Sequence, residues 1–419
     1  SKALLAAAAA AQAMRSGARF GVAPGEPSID FAQVRAHVAA TRAAIAPQDS
    51  AERFRALGVK VIRAAGRFVS SGAFEAGGTR ILARRFVLAT GSRPVIPPIP
   101  GIELVRPLTN ETIFDLPALP ARLVVIGAGP IGLELAQAFR RLGSETIVID
   151  AGPALGREDR ELVAPLLTAL RREGVVIHEN TQIAAIEPVG EGARLLLADG
   201  RRIEAPHLLV AAGRVPVTEG LGLDAAGVAV DERGIRVGPD LRTSNRKVYA
   251  IGDAAGGPQF THAAGWHAGL VLRSALFRLR IEARPERVPR VVYADPELTW
   301  IGLGEDEARA RHKAIRVLRS AFADNDRARA EAATNGHVKL IVAGGRIVGG
   351  GAVGAGAGDL APLLTLAVER RLRPRDIAEL AIPYPTRAEA VKRAAASDLA
   401  RLAGAPALRA LIGFLRRFG

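Results

Sequence analysis

The chain has 419 residues, which at roughly 150 per domain is enough for two or three domains around a sizeable core. Hydrophobic residues make up 49% and charged residues 24%, and 45 Gly and 26 Pro are spread along the chain, so disorder and collagen-like repeats are excluded. The net charge is +15 and Cys is absent, which removes disulfides, thiolate metal sites and cysteine nucleophiles from these residues.

The Ala/Leu composition predicts a helix over Ser1–Met14, and interspersed acids and bases predict a second over Asp30–Ile45. Short strands are expected at Val59–Ile62, Arg67–Val69, Arg80–Leu82 and Phe86–Leu88, together forming one small sheet. A glycine turn over Ala89–Pro94 and a proline-rich connection lead to a domain boundary near Ala118. Residues 122–150 read as one βαβ unit: strand Leu123–Ile126, a turn from Gly127, a helix to Leu142, and strand Thr146–Asp150. A helix over Asp159–Arg172, a strand at Val175–His178, a hairpin around Asp199-Gly200 and a strand at His207–Ala211 complete an α/β domain ending near Asn245. Tyr249–Asp253 is expected as a strand ending in a turn, and Thr261–Phe277 as a helix. Val291–Ala381 reads as a separate α+β domain with a strand at Val338–Val342 and helices near Asp306 and Leu360.

The tail from Ala394 to Gly419 carries Leu, Ile and Phe at helical spacing with Arg401, Arg409, Arg416 and Arg417. Such a basic amphipathic segment suits packing on a partner subunit or a weak membrane-surface contact. The apolar runs Ala3–Ala11 and Leu123–Ala138 are too short or interrupted by Glu134, so no transmembrane segment is expected. The 51 Arg and 6 Lys are interspersed with Asp and Glu, and aromatics are only 4%, so no nucleic acid partner is expected either.

Gly127-Ala128-Gly129-Pro130-Ile131-Gly132 follows an apolar strand and opens an amphipathic helix, as a dinucleotide fingerprint requires. The first Gly permits the tight turn, the second admits a pyrophosphate, and the third allows close helix packing, leaving backbone N–H groups toward the anion. Asp150, 18 residues after Gly132, closes the next strand. Its carboxylate accepts from both hydroxyls of an adenosine ribose and repels a 2′-phosphate, so NADH is expected over NADPH. His262 and His267, five apart, diverge on a helix, and no metal site is expected. No Gly-x-Ser-x-Gly elbow or Walker sequence stands out, which leaves hydride transfer as the reaction.

The order Ser1-Lys2-Ala3-Leu4-Leu5, Ala89-Thr90-Gly91-Ser92-Arg93-Pro94, the dinucleotide fingerprint, Gly213-Arg214-Val215-Pro216 and Gly252-Asp253 resembles the FAD-dependent pyridine nucleotide-disulfide oxidoreductases. Ala294-Asp295-Pro296-Glu297, Ile301-Gly302-Leu303 and Pro383-Tyr384-Pro385-Thr386 are similar to the C-terminal dimerisation domain of their dihydrolipoamide dehydrogenase and mercuric reductase branches. The resemblance implies an α/β fold with two Rossmann-like dinucleotide-binding domains, the NAD domain inserted into an incomplete FAD domain, and an α+β C-terminal dimerisation domain. The expected boundaries are 1–118 and 246–285 for the FAD domain, 119–245 for the NAD domain, 286–391 for the dimerisation domain, and 392–419 for the tail.

It further implies that Lys2 lies beside the flavin and pairs with Glu134, which orients the nicotinamide. Gly66, Thr90, Gly91, Ser92 and Gly213 belong to the cofactor-binding set, and Asp253 binds the ribityl or phosphate region. A helix starting within Gln259-Phe260-Thr261-His262 would aim its N–H dipoles at the flavin pyrimidine edge; the same residues also suit an ordinary helix start. Tyr384 stands where the disulfide reductases have a His, with Glu389 as its orienting carboxylate, and Tyr near pKa 10 stays protonated at neutral pH.

The family's flavin-binding βαβ unit and Cys-x-x-x-x-Cys pair would precede Ser1, so the chain is read as N-terminally truncated or as a natural form without redox thiols. The expected activity is hydride transfer from NAD(P)H through FAD to a disulfide, a thiol-bound metal or a related small-molecule acceptor, in a cytoplasmic homodimer. A non-catalytic dinucleotide-binding dimer and a thiol-independent NADH oxidase or transhydrogenase stand as alternatives.

Overall fold

A computed structural model describes residues 1–403 and 406–418. The helix Lys2–Arg15 buries Leu4, Ala8 and Ala11, a narrow stripe at spacings of four and three. Small side chains there let it lie close against the helix Pro130–Leu142. A second helix, Phe31–Ile45, starts where the Asp30 carboxylate accepts from the Gln33 N–H, and it brings Phe31 and Val38 into the same core beside Phe139.

Residues 122–150 fold as strand Arg122–Ile126, helix Pro130–Leu142 and strand Glu145–Ile149. The helix buries Leu133, Leu135, Ala136, Ala138, Phe139 and Leu142, each large side chain contributing roughly 1.5–3 kcal/mol on burial. The two strands are the centre of a four-stranded parallel sheet, flanked by His207–Val210 and Val176–His178. An antiparallel meander, Ile183–Val189, Gly192–Leu197 and Arg202–Ala205, packs beside this sheet, with the expected turn at Asp199-Gly200.

The early β region departs from the expected single sheet. Gly66–Ser70, Ala73–Ala76 and Thr79–Leu82 form an antiparallel meander, whereas Phe86–Leu88 leaves it to pair in parallel with Val248–Ala250. An aromatic contact of Phe86 with Phe68 ties the two sheets together. Val59–Ile62 joins no strand, because Val59 and Lys60 face solvent and no partner backbone runs alongside; a short helix, Ala51–Ala56, precedes it.

The C-terminal unit is a five-stranded antiparallel sheet ordered Arg290–Val292, Glu297–Gly302, Arg346–Gly354, His337–Ala343 and Ile315–Ala321. One face carries the helices Ala361–Glu369 and Ala388–Ala403. The other receives the helix Arg160–Arg172, which follows the βαβ unit, and its Leu162 reaches so close to Gly351 that a Cβ there would lie 2.9 Å from it. The expected boundary at 391/392 cuts through the helix Ala388–Ala403: Ala394 and Ala395 are buried, and Asp398 makes a two-pronged ion pair with Arg316, so the first part of the tail belongs to this unit's core. No described helix is long and apolar enough to cross a membrane.

Candidate functional site

Each fingerprint glycine has a separate geometric reason. Gly127 adopts φ +109°, and a Cβ on it would lie 2.5 Å from the Ala211 carbonyl oxygen. Gly132 faces the turn so closely that a Cβ would lie 2.0 Å from the Gly127 oxygen. At Gly129, between them, a Cβ would meet nothing within 4 Å, so the loop leaves open space there. Gly129 is the N-cap, Pro130 has no N–H to leave unpaired, and the first bond into the helix is Leu133 N–H to the Gly129 oxygen at 3.0 Å. The N–H groups of Ile131 and Gly132 therefore precede any carbonyl of their own helix, and this open cradle fits a diphosphate.

Asp150 joins the loop from the neighbouring strand. Its Oδ2 accepts from the Ala128 N–H at 2.7 Å and its Oδ1 from the Gly152 N–H at 2.8 Å. Each oxygen keeps a free lone pair, which suits the two hydroxyls of a ribose.

One turn into the helix, Glu134 is buried, with its Oε2 2.7 Å from the Lys2 ammonium and its Oε1 accepting from the Tyr293 N–H at 2.9 Å. The Lys2 nitrogen also lies 3.7 Å from the centre of the Tyr293 ring. Burial, with Glu297, Glu134 and Asp359 nearby, raises the Tyr293 hydroxyl pKa. Further along the same helix face, Gln137 bonds both the Asp295 N–H and its carbonyl at 2.7 Å. Arg141 reaches Glu173 at 2.6 Å and Asp295 at 2.7 Å; burial opposes its charge, but these carboxylates raise its pKa. Sequence reasoning missed Tyr293, Gln137 and Arg141, although Gln137 and Arg141, three and seven residues after Glu134, place polar groups on the same helix face as that carboxylate.

A second cluster forms where the parallel pair Phe86–Leu88 and Val248–Ala250 ends. Ser92 donates to Asp253 at 2.5 Å, and Arg214 donates to the Ser92 hydroxyl and carbonyl, both at 2.6 Å. Gln259 donates to the Arg214 carbonyl at 3.2 Å, and Thr90 to the Val217 carbonyl at 2.7 Å. Gly91 turns at φ +71° with open space around its Cβ position, and Gly213 at φ +135° accepts from the Val95 N–H.

The helix Thr261–Phe277 begins beside this cluster with Phe260 as N-cap and no capping side chain. Its first bonded N–H groups are those of Ala263 and Ala264, both to the Phe260 oxygen, so Thr261 and His262 present theirs outward. The His262 ring stacks on Phe260 and bonds the Pro289 carbonyl at 2.7 Å, an anchor to the C-terminal unit. His267 is buried, which lowers its pKa, and its Nδ1 accepts from the Gly252 N–H.

Two expected site residues have local structural roles in packing and helix capping. Gly66 is required by the Phe74 ring, 2.4 Å from where its Cβ would be, and thus by packing inside the meander. Glu389 does not orient Tyr384: its carboxylate accepts from the Thr386 N–H at 3.1 Å, ahead of its own helix. The exposed Tyr384 hydroxyl instead donates to Asp326 at 3.0 Å, and this bond raises its pKa. Glu389 is drawn to Thr386 because a carboxylate in the first turn finds unpaired N–H groups three residues before it.

Residues 1–268 match the family model described as pyridine nucleotide-disulphide oxidoreductase, and residues 288–395 match that family's dimerisation domain. The chain is 34% identical to a mercuric reductase of Streptomyces lividans, over 96% of this chain and 88% of that protein. It is also 34% identical to dihydrolipoyl dehydrogenase 3 of Pseudomonas aeruginosa, over 77% of this chain and 70% of the other. It spans only 54% to 63% of the length of other mercuric reductases that it matches. The crystal structure of LpdA from Mycobacterium tuberculosis superposes with a TM-score of 0.85 at 26% identity, covering 94% of this chain and 88% of that one.

Proposed function

Because the chain belongs to the pyridine nucleotide-disulphide oxidoreductase family, whose members use FAD and NAD(P)H, we propose that it takes hydride from a reduced nicotinamide dinucleotide for delivery to a disulfide, a thiol-bound metal or a related small-molecule acceptor. FAD, when bound, supplies the hydride-accepting and electron-relaying chemistry. The observation that carries the reading is the junction at Glu134: one carboxylate on the helix behind the nucleotide loop holds the lysine of the opening helix.

In this reading the loop from Gly127 to Gly132 and its helix start hold the diphosphate, and Asp150 holds the ribose and disfavours a 2′-phosphate. NADH is accordingly the preferred donor. Glu134 keeps the Lys2 ammonium as a fixed positive charge, and the open start of the helix at Thr261 adds a dipole of the same sign for charge gained on reduction. Thr90, Gly91, Ser92, Gly213, Asp253, Gln259 and Phe260 form the turn cluster that would receive FAD. Tyr384 serves the acceptor as a proton donor whose proton Asp326 helps retain, and a homodimer, supported by the dimerisation-domain match, brings it to the partner's cofactor. No thiol stands among the 419 residues, so no Cys of this sequence has a part in the acceptor step.

The test is anaerobic addition of NADH to protein supplemented with FAD. The yellow flavin absorbance should bleach; a flavin that binds yet stays oxidised would sink the reading. Gly129→Ala should weaken NADH binding about tenfold or more by filling the phosphate space. Thermal unfolding should stay unchanged in the same variant, since the added Cβ meets no protein atom.

A further inference from the structure

Glu134, Gln137 and Arg141 lie on one face of the nucleotide helix, and all three bond a single segment of the C-terminal unit. Glu134 takes the Tyr293 N–H, Gln137 takes both backbone groups of Asp295, and Arg141 takes the Asp295 carboxylate. Gln137 and Arg141 are buried, 3% and 6% exposed, so the two Gln137 bonds to the Asp295 backbone are shielded from competing water. The segment they fix carries Tyr293, whose ring covers the Lys2 ammonium while its hydroxyl makes no hydrogen bond to the described residues.

Lys2 itself is half exposed, and among the described residues one carboxylate is its whole ion pairing. An ammonium on a flexible four-carbon stem loses rotamer freedom to stay in one place, and a single ion pair with one half-exposed partner offsets only part of that. The negative face of the Tyr293 ring, 3.7 Å from the ammonium, adds a second attraction.

We propose that Tyr293 is a positioning residue for Lys2: its ring, set in place by Gln137 and Arg141, holds the ammonium on Glu134. The C-terminal unit thereby supplies one wall of a junction whose other members come from the opening helix and the nucleotide helix. The proposal rests on the reading that Lys2 and Glu134 face the cofactors, and its test is made without them so that the two can fail separately.

The six lysines can be followed one by one by mass spectrometry during trace acylation with acetic anhydride. In Tyr293→Leu, Lys2 should react about fivefold faster than in the parent, the other five lysines reporting an intact fold. Tyr293→Phe should restore the parent rate, because the ring and not the hydroxyl is used. Asp295→Ala, at an exposed carboxylate, removes the hold of Arg141 on the segment and should raise the Lys2 rate in the same direction by less. A parent-like Lys2 rate in Tyr293→Leu, or a Tyr293→Phe protein that behaves like Tyr293→Leu, overturns the role of the ring. A parent-like rate in Asp295→Ala overturns the part given to Arg141. A protein that shows the full pattern but is not bleached by NADH loses the functional reading and keeps this one.

Discussion

Among the charged contacts that tie the nucleotide unit to the C-terminal unit, two knots are built differently. In one, the Lys339 ammonium, with only 4% of its side chain exposed, lies 2.8 Å from Asp159, 2.9 Å from Glu161 and 3.0 Å from Glu305. Arg319 adds a two-pronged pair to Glu161, so the bonds across this knot are mainly ionic. In the other, Arg141 bridges Glu173 and Asp295, but the neutral amide of Gln137 holds the same Asp295 backbone. The first knot centres on one buried cation among three carboxylates, whereas in the second mixed neutral and ionic bonds share the connection. The shared knot is the one that adjoins Lys2 and Glu134.

The sharpest way to break this contrast is Lys339→Met. Removing the ammonium leaves Asp159 without a cation among the described residues, while Glu161 keeps Arg319 and Glu305 keeps Arg309. The buried pair so broken should destabilise the protein by about 3–5 kcal/mol in urea unfolding, and a change near zero would mean that the knot carries no net stability. Arg141→Met should cost less, about 1–2 kcal/mol, because both Gln137 bonds remain. Equal losses in the two variants would erase the distinction.

Acid titration sharpens it further. The Arg319 bond, against the cost of burial and with help from Lys339, holds the Glu161 carboxyl at about 2, below its ordinary value near 4.3. Its stabilising contribution is therefore complete above that ordinary value and is lost as pH falls toward about 2. Unfolding free energy should decline across that window in the parent and decline less in Lys339→Met; parallel curves would contradict the assignment.

The smallest stability effect belongs to a residue outside both knots. Tyr384→Phe should change stability by no more than about 0.5 kcal/mol, since only an exposed hydroxyl is lost. Bleaching of the flavin by NADH should be unaffected while turnover with the acceptor slows. Unchanged turnover would remove Tyr384 from the acceptor step.

Much of the nucleotide site is legible in order along the chain, because the glycine spacing, the apolar strand and the acid that closes the next strand are all local to residues 122–150. The partnership of Lys2 with Glu134 came from resemblance, and the two meet across 132 residues in the fold. By contrast, Tyr293, Gln137 and Arg141 carry no motif, and their importance appears only when one helix face is seen against one loop. Glu389 went astray for a local reason, the nearby Thr386 N–H, which wins over a more distant phenol.

The sequence by itself determined the βαβ crossover, the helix Thr261–Phe277, and the tight turn and close helix packing at Gly127 and Gly132, since φ/ψ limits and hydrophobic period act over a few residues. Only the tertiary structure decided that Phe86–Leu88 pairs with Val248–Ala250, that the helix Ala388–Ala403 belongs to the C-terminal core, and that Tyr293 covers Lys2. Those outcomes depend on which distant backbone and side-chain groups can be satisfied together once the chain is closed, and no short stretch of sequence contains that competition.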